Sequence, residues 1–189
     1  GHPGSSKDVM VNASLVAMEI NSLLPAGETP RDTDGYEGFY HLTDMKGDVG
    51  EAVLRYIIRD HDTDSFEQRK ETLRSIEKQM NAKWGRGTVT LTVTDQYRNM
   101  AEIISGCMHL IRNAEKACRN AGVEPLILPI RGGTDGAQLS FKGLPCPNLG
   151  TGGHGYHGPY EHITAEGMDA ACEVALELVK IYAEGPDPK

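Results

Sequence analysis

The chain has 189 residues, of which 39% are hydrophobic and 24% charged, and a formal net charge of -8. That is enough polypeptide for one good domain or two small ones of ordinary globular composition. Excess negative charge disfavours polyanions, which sets aside non-specific binding to nucleic acid or to an anionic membrane.

No run approaches the ~18 apolar residues of a membrane-spanning helix. The opening residues Gly1, His2, Pro3, Gly4, Ser5 and Ser6 offer neither a basic n-region nor an apolar h-region, so no signal peptide is expected. There is no initiating Met, and the expectation is that the numbering begins inside a longer protein or that a tag has been trimmed. The four cysteines, Cys107, Cys118, Cys146 and Cys172, form no C-x-x-C pair. They are expected to be free core thiols in a reducing compartment.

In chain order, residues 5–24 are expected to be a helix. Ser5 or Ser6 can cap it, and Val9, Ala13, Val16, Ala17, Ile20 and Leu24 recur at helical spacing before Pro25 stops it. Two strands follow, around 38–44 and over 52–60, with a turn at 47–50. In the second, Ala52, Leu54, Tyr56 and Ile58 share one face, while Arg55 and Arg59 stand among apolar residues on the other. A helix over 64–81 would be capped by Asp64, with Glu67 three residues on. Thr88–Asp95 alternates Val89, Leu91 and Val93 with threonines and predicts a half-buried strand. Helix, strand, strand, helix, strand is a split βαβ, ferredoxin-like layout without its first strand.

The second half changes rhythm. A helix is expected over 103–121, closed by Gly122. Short strands are expected at 126–130 and 145–149, separated by a glycine-rich turn at 131–136 and a short helix ending near Phe141. A loop at 150–162 leads to a last helix capped by Thr164 and running to about Ala183. Alternating strands and helices define an α/β layer, whose sites gather in loops at the strand ends. The domain boundary is placed near residues 100–106.

Four segments could carry chemistry. The loop 150–162 holds His154, His157 and His162, and imidazoles are good zinc ligands. A histidine-rich loop is more often solvated surface, and a closed four-ligand site within it is not expected. Residues 129–136 run a strand into Gly132, Gly133 and a helix, a geometry that can aim backbone N–H groups at an anion. There Asp135 is expected to cap the helix and Arg131 to face a cleft. Asn99 could hydrogen-bond a peptide backbone or a carboxylate, or simply sit at a hinge. His2, Pro3 and Gly4 open a tight turn that means little alone.

Together, several stretches resemble the zinc metallopeptidase family of carboxypeptidase G and aminoacylase, most nearly its tripeptide-aminopeptidase (peptidase T) branch. They are His2–Gly4, Glu37–Leu42, Tyr56–Asp60, Tyr97 with Asn99 and Met100, Pro129–Phe141, Gly143–Leu149, and Tyr156–Gly158 with Glu161. The resemblance implies the C-terminal part of a zinc-peptidase αβα catalytic domain plus a ferredoxin-like α+β lid lacking its first strand. Residues 1–102 would be the lid and dimerisation domain, and 103–189 the closing segment of the catalytic domain. It further implies two zinc ions in the intact enzyme, with His157 as a metal ligand and Glu161 closing that motif.

By the same resemblance His2 helps polarise the scissile carbonyl, and Arg59, Asn99, Arg131 and Thr134 contact a short peptide substrate. The remaining ligands and the general base would lie in a missing N-terminal half of the catalytic domain, so the segment alone is expected to be inactive. A cytoplasmic location and a homodimer through the lid are expected. This reading hangs on an imidazole at position 157 that points into a cleft. The alternatives are a non-catalytic peptide-binding or dimerisation module and an aminoacylase-like deacylase.

Overall fold

The computed structural model describes residues 2–96 and 99–185. Residues 97 and 98, which fall in one of the segments singled out above, lie outside the described residues. The chain forms two compact units: Gly1–Asp95 with Pro129–Gly132, and Gln96–Leu128 with Gly133–Lys189. The elements are helices and two small antiparallel sheets, within the α/β class expected. No helix among the described residues is long and apolar enough to cross a membrane.

The N-terminal unit begins with a single 3-10 turn, Pro3–Ser5, and its first full helix is α1, Ala13–Ser22. The expected helix start at Ser5 or Ser6 is therefore corrected. Asp8 takes a left-handed backbone, φ 62°, which no right-handed helix can contain. Asn12 becomes the cap, its Oδ1 accepting the N–H groups of Ser14 and Leu15 at 3.0 and 3.3 Å.

Strands β1, Phe39–Gly47, and β2, Ala52–Arg59, pair antiparallel from Phe39 opposite Arg59 to Gly47 opposite Ala52, with a bulge between Leu42 and Asp44. Asp48 ties the turn, accepting the N–H groups of Gly50 and Glu51 at 2.7 and 3.1 Å. Those backbone donors hold its carboxyl below the usual aspartate range.

Helix α2, Thr63–Trp84, is longer than expected and starts earlier. Asp62, not Asp64, is its cap, with Oδ1 accepting from Ser65 N at 2.8 Å. Met80 is fully buried and packs with Val16 and Ile76, ringed by Ile20, Leu23, Leu24, Trp84 and Val89. Each such side chain contributes about 1.5–3 kcal/mol when taken from water. At the other end of α2, Arg69 donates from Nε to Asp60 Oδ2 at 2.8 Å and from Nη1 to Glu28, with its guanidinium 5.1 Å from the Tyr40 ring centroid.

Residues 88–95 belong to no ladder, which corrects the strand expected there. A strand needs a neighbouring backbone, and here α2 supplies side chains instead. Asn81 donates to Val89 O at 2.8 Å and accepts from Val89 N at 3.0 Å, while Glu77 accepts from Leu91 N at 2.7 Å. Lys70, 4% exposed, reaches Asp95 at 2.7 Å and Glu67 at 2.8 Å. Asp95 first, and then Glu67, holds that ammonium above the usual lysine range.

In the C-terminal unit the single helix expected over 103–121 is broken into α3, Ala101–Ile104, a 3-10 turn, Ser105–Cys107, and α4, His109–Asn120. Gly106 sits at the break, where helix propensity is lowest. Gly122, φ 74°, follows the end of α4 as expected. Helix α5 spans Asp135–Phe141, and α6, Ala165–Ala183, is capped by Thr164 as expected.

α4 and α6 pack around Ala117, Val174 and Ile181. Ala117 is fully buried, so the smallest apolar side chain stands where the two helices meet. The strands expected at 126–130 and 145–149 are not formed. Instead, the loop expected at 150–162 contains a short hairpin, β3, Gly153–His154, against β4, His162–Ile163.

Candidate functional site

In the N-terminal unit, two of the residues singled out by sequence meet one end of the β1–β2 ribbon. Phe39 is the ladder partner of Arg59, and its ring centroid lies 5.1 Å from the guanidinium of Arg131. Arg59 is part-buried and donates from Nη1 to Ile58 O at 2.9 Å.

Arg131 spends three of its donors on the loop before β1. Nη1 donates to Thr33 O, and Nη2 donates to Thr33 Oγ1 at 2.7 Å and Glu37 O at 2.9 Å. Its Nε is buried with no hydrogen-bond partner among the described residues. Of the five donors of the fork, the Nε–H and one Nη1–H are left. The arginine therefore braces residues 33–37 against the strand that follows them.

His2 is exposed and caps the opening 3-10 turn, its Nδ1 accepting from Gly4 N at 3.1 Å. A ring nitrogen that accepts carries no proton, so in the neutral ring the proton sits on Nε2. The turn thus sets this imidazole as an Nε2–H donor.

The C-terminal unit holds the other three. Asn99 is exposed, with Oδ1 accepting from Ala101 N at 3.0 Å at the start of α3. Thr134, not Asp135, caps α5: its Oγ1 accepts from Ala137 N at 3.1 Å and from Asn148 Nδ2 at 3.2 Å. With two bonds accepted, the hydroxyl retains its own O–H as a donor.

The glycine-rich run has a steric reason here. A Cβ on Gly136 would lie 2.5 Å from Cys146 O, so only glycine lets α5 lie against 146–148. Ser140, 2% exposed, completes the joint by donating to Gly136 O at 2.7 Å and accepting from Cys146 N at 2.9 Å.

His157 is exposed, in a left-handed backbone with φ 64°, and its N–H donates to Glu161 Oε2 at 3.0 Å. The expectation of an imidazole enclosed in a cleft is not what the chain shows by itself. Among the described residues no group of three or more His, Cys, Asp or Glu side chains could hold a metal ion. A zinc site needs three or four ligands, so the residues present do not fit a zinc centre on their own.

Sequence reasoning overlooked the pairing of His154 with His162. They stand opposite each other on β3 and β4, with ring centroids 5.5 Å apart. The available signal was two histidines placed symmetrically about a glycine-flanked turn.

A family profile described as a peptidase dimerisation domain matches residues 1–88. The chain is 54% identical over 183 residues to peptidase T of Clostridium perfringens (strain 13 / Type A), covering 97% of this chain and 45% of that protein. It is 53% identical, with the same coverage, to peptidase T of Desulfitobacterium hafniense (strain Y51). Among solved structures, its fold matches an aminopeptidase PepT from Bacillus cereus with a TM-score of 0.62 at 16% identity, over 97% of this chain and 48% of that one. A tripeptidase from Staphylococcus aureus matches with a TM-score of 0.61, also at 16% identity, over 92% and 46%.

Fold and sequence thus resemble part of the peptidases that carry a dimerisation domain. Within that class the sequence is similar to proteins named peptidase T. It spans about half the length of the curated relatives it matches, 45% of each.

Proposed function

We propose that this chain is the dimerising lid and a closing catalytic segment of a zinc-dependent aminopeptidase that releases the N-terminal residue from tripeptides. The observation that carries this reading is 54% identity to a peptidase T over 97% of the chain. Residues 1–102 form the lid in this reading, and 103–189 belong to the catalytic domain. A homodimer forms through the lid, in keeping with the dimerisation profile over residues 1–88. The site of action is the cytoplasm.

Two zinc ions would supply polarisation of the peptide carbonyl and activation of water in the intact enzyme. This chain offers one ligand to them, His157, with Glu161 fixing its backbone. His2 presents Nε2–H to the oxygen on which negative charge develops, a role supported by the Nδ1 bond that sets its tautomer. Arg59, Arg131, Asn99 and Thr134 bind and orient the peptide. The arginines suit its carboxylate, and Thr134 has its O–H to give.

Tripeptide hydrolysis by the full-length protein, with and without a chelator, is the test. Activity abolished by chelation and restored by zinc is expected, with none from the 189-residue chain alone. Hydrolysis that survives chelation, or preference for an N-acetyl amino acid over a tripeptide, overturns the reading. A second reading, a non-catalytic dimerisation module, is favoured by the profile match itself, which describes a dimerisation domain.

A further inference from the structure

We infer that His154 and His162 form an open two-histidine site for a transition-metal dication such as zinc. The two residues are cross-strand partners at the mouth of the β3–β4 hairpin, and both are exposed. Directly opposite residues on antiparallel strands project from the same face of the ribbon with closely spaced Cβ atoms. Their rings lie 5.5 Å apart, centroid to centroid, with 30° between planes. Two imidazoles sharing one tetrahedral zinc at ~2.0–2.1 Å have centroids ~5.2 Å apart, close to the observed spacing, and the stacked rings turn their nitrogens toward the ion on binding.

The tautomer of one ring is also set for the task. His162 Nδ1 lies 2.7 Å from Tyr160 O. A carbonyl oxygen only accepts, so Nδ1 carries the proton and Nε2 keeps its lone pair. A backbone carbonyl on the far nitrogen is the usual support of a metal-binding histidine.

The ribbon beneath the rings is held in place. Gly155 is left-handed at φ 67°, and a Cβ there would come within 2.9 Å of Tyr160 O. Glu161 accepts from His157 N across the turn at 3.0 Å. Two imidazoles presented on a closed turn lose little freedom when they take an ion. Water completes the coordination, so binding is weaker than in a closed four-ligand site, and imidazole donors select zinc, nickel or copper over magnesium or calcium. An ion so placed clasps the two ends of the turn that carries His157.

Calorimetric titration of the 189-residue chain with zinc chloride at neutral pH tests the site. Saturable uptake of one ion per chain is expected. His154→Phe and His162→Phe should each weaken it by about tenfold or more, the loss expected when a site falls from two imidazoles to one. His109→Ala, at an exposed histidine that begins α4, should leave it unchanged. Phenylalanine keeps an aromatic ring on the ladder, and an unchanged thermal melt of each variant shows that the chain still folds. No zinc uptake, uptake indifferent to both phenylalanine variants, or uptake lost in His109→Ala alone overturns the proposal.

Discussion

Residues 88–95 in the N-terminal unit and residues 126–128 in the C-terminal unit share a strand-like composition and end in opposite circumstances. Val89 and Leu91 are part-buried against α2, with backbone groups satisfied by Asn81 and Glu77. Leu126, Ile127 and Leu128 are 76%, 65% and 65% exposed. Apolar pattern is present in both; what differs is a helix with polar side chains at the right spacing. Asn81 and Glu77 stand four apart on α2, one turn of helix, and so line up on one stripe beneath the segment. A buried backbone N–H must find a partner, and only the first segment has one at hand.

The contrast breaks most visibly at Met80. Its side chain is fully buried at the centre of the core on which Val89 packs. Met80→Ala is expected to destabilise the chain by about 2–5 kcal/mol, read from the urea midpoint. Asn81→Ala sharpens the comparison, because it removes both bonds to Val89 while sparing the apolar contacts. A loss of about 1–3 kcal/mol is expected. Hydrogen exchange should show the Val89 amide exposed while the β1–β2 amides stay protected. The smallest effect is expected at Ile127→Ser, within about 0.5 kcal/mol, since a side chain already in water has little burial to lose. A melting point that falls as far as in Asn81→Ala would show that 126–128 is held after all.

Element types were legible in the helices and in the first ribbon, while the alternation at 88–95 formed no strand. Helices α2 and α6 and the β1–β2 ribbon were expected close to where they stand. Helix starts were less legible for a specific reason. Asp62 stands two residues before the expected cap Asp64, and Thr134 one before the expected Asp135, and only the backbone at each shows which oxygen meets a free N–H. Asp8 hid the true start of α1 because nothing in its neighbours announces a left-handed backbone.

Of the candidate site, the glycine-rich turn and the short helix after it were legible, while the strands expected on either side and the cap expected at Asp135 were not. Gly136 admits Cys146 O, and Thr134 caps α5. The facing of His154 and His162 was not legible, because it depends on the register of a two-residue ladder.

The backbone of His157 carries a consequence of its own. A left-handed conformation disfavours any side chain with a Cβ, and in a segment that already holds Gly152, Gly153, Gly155 and Gly158 a glycine would keep the same bend with less strain. The turn therefore has no need of histidine for its shape. Whatever benefit offsets that conformational penalty must come from the ring, which separates what the fold asks of this position from what the chemistry asks.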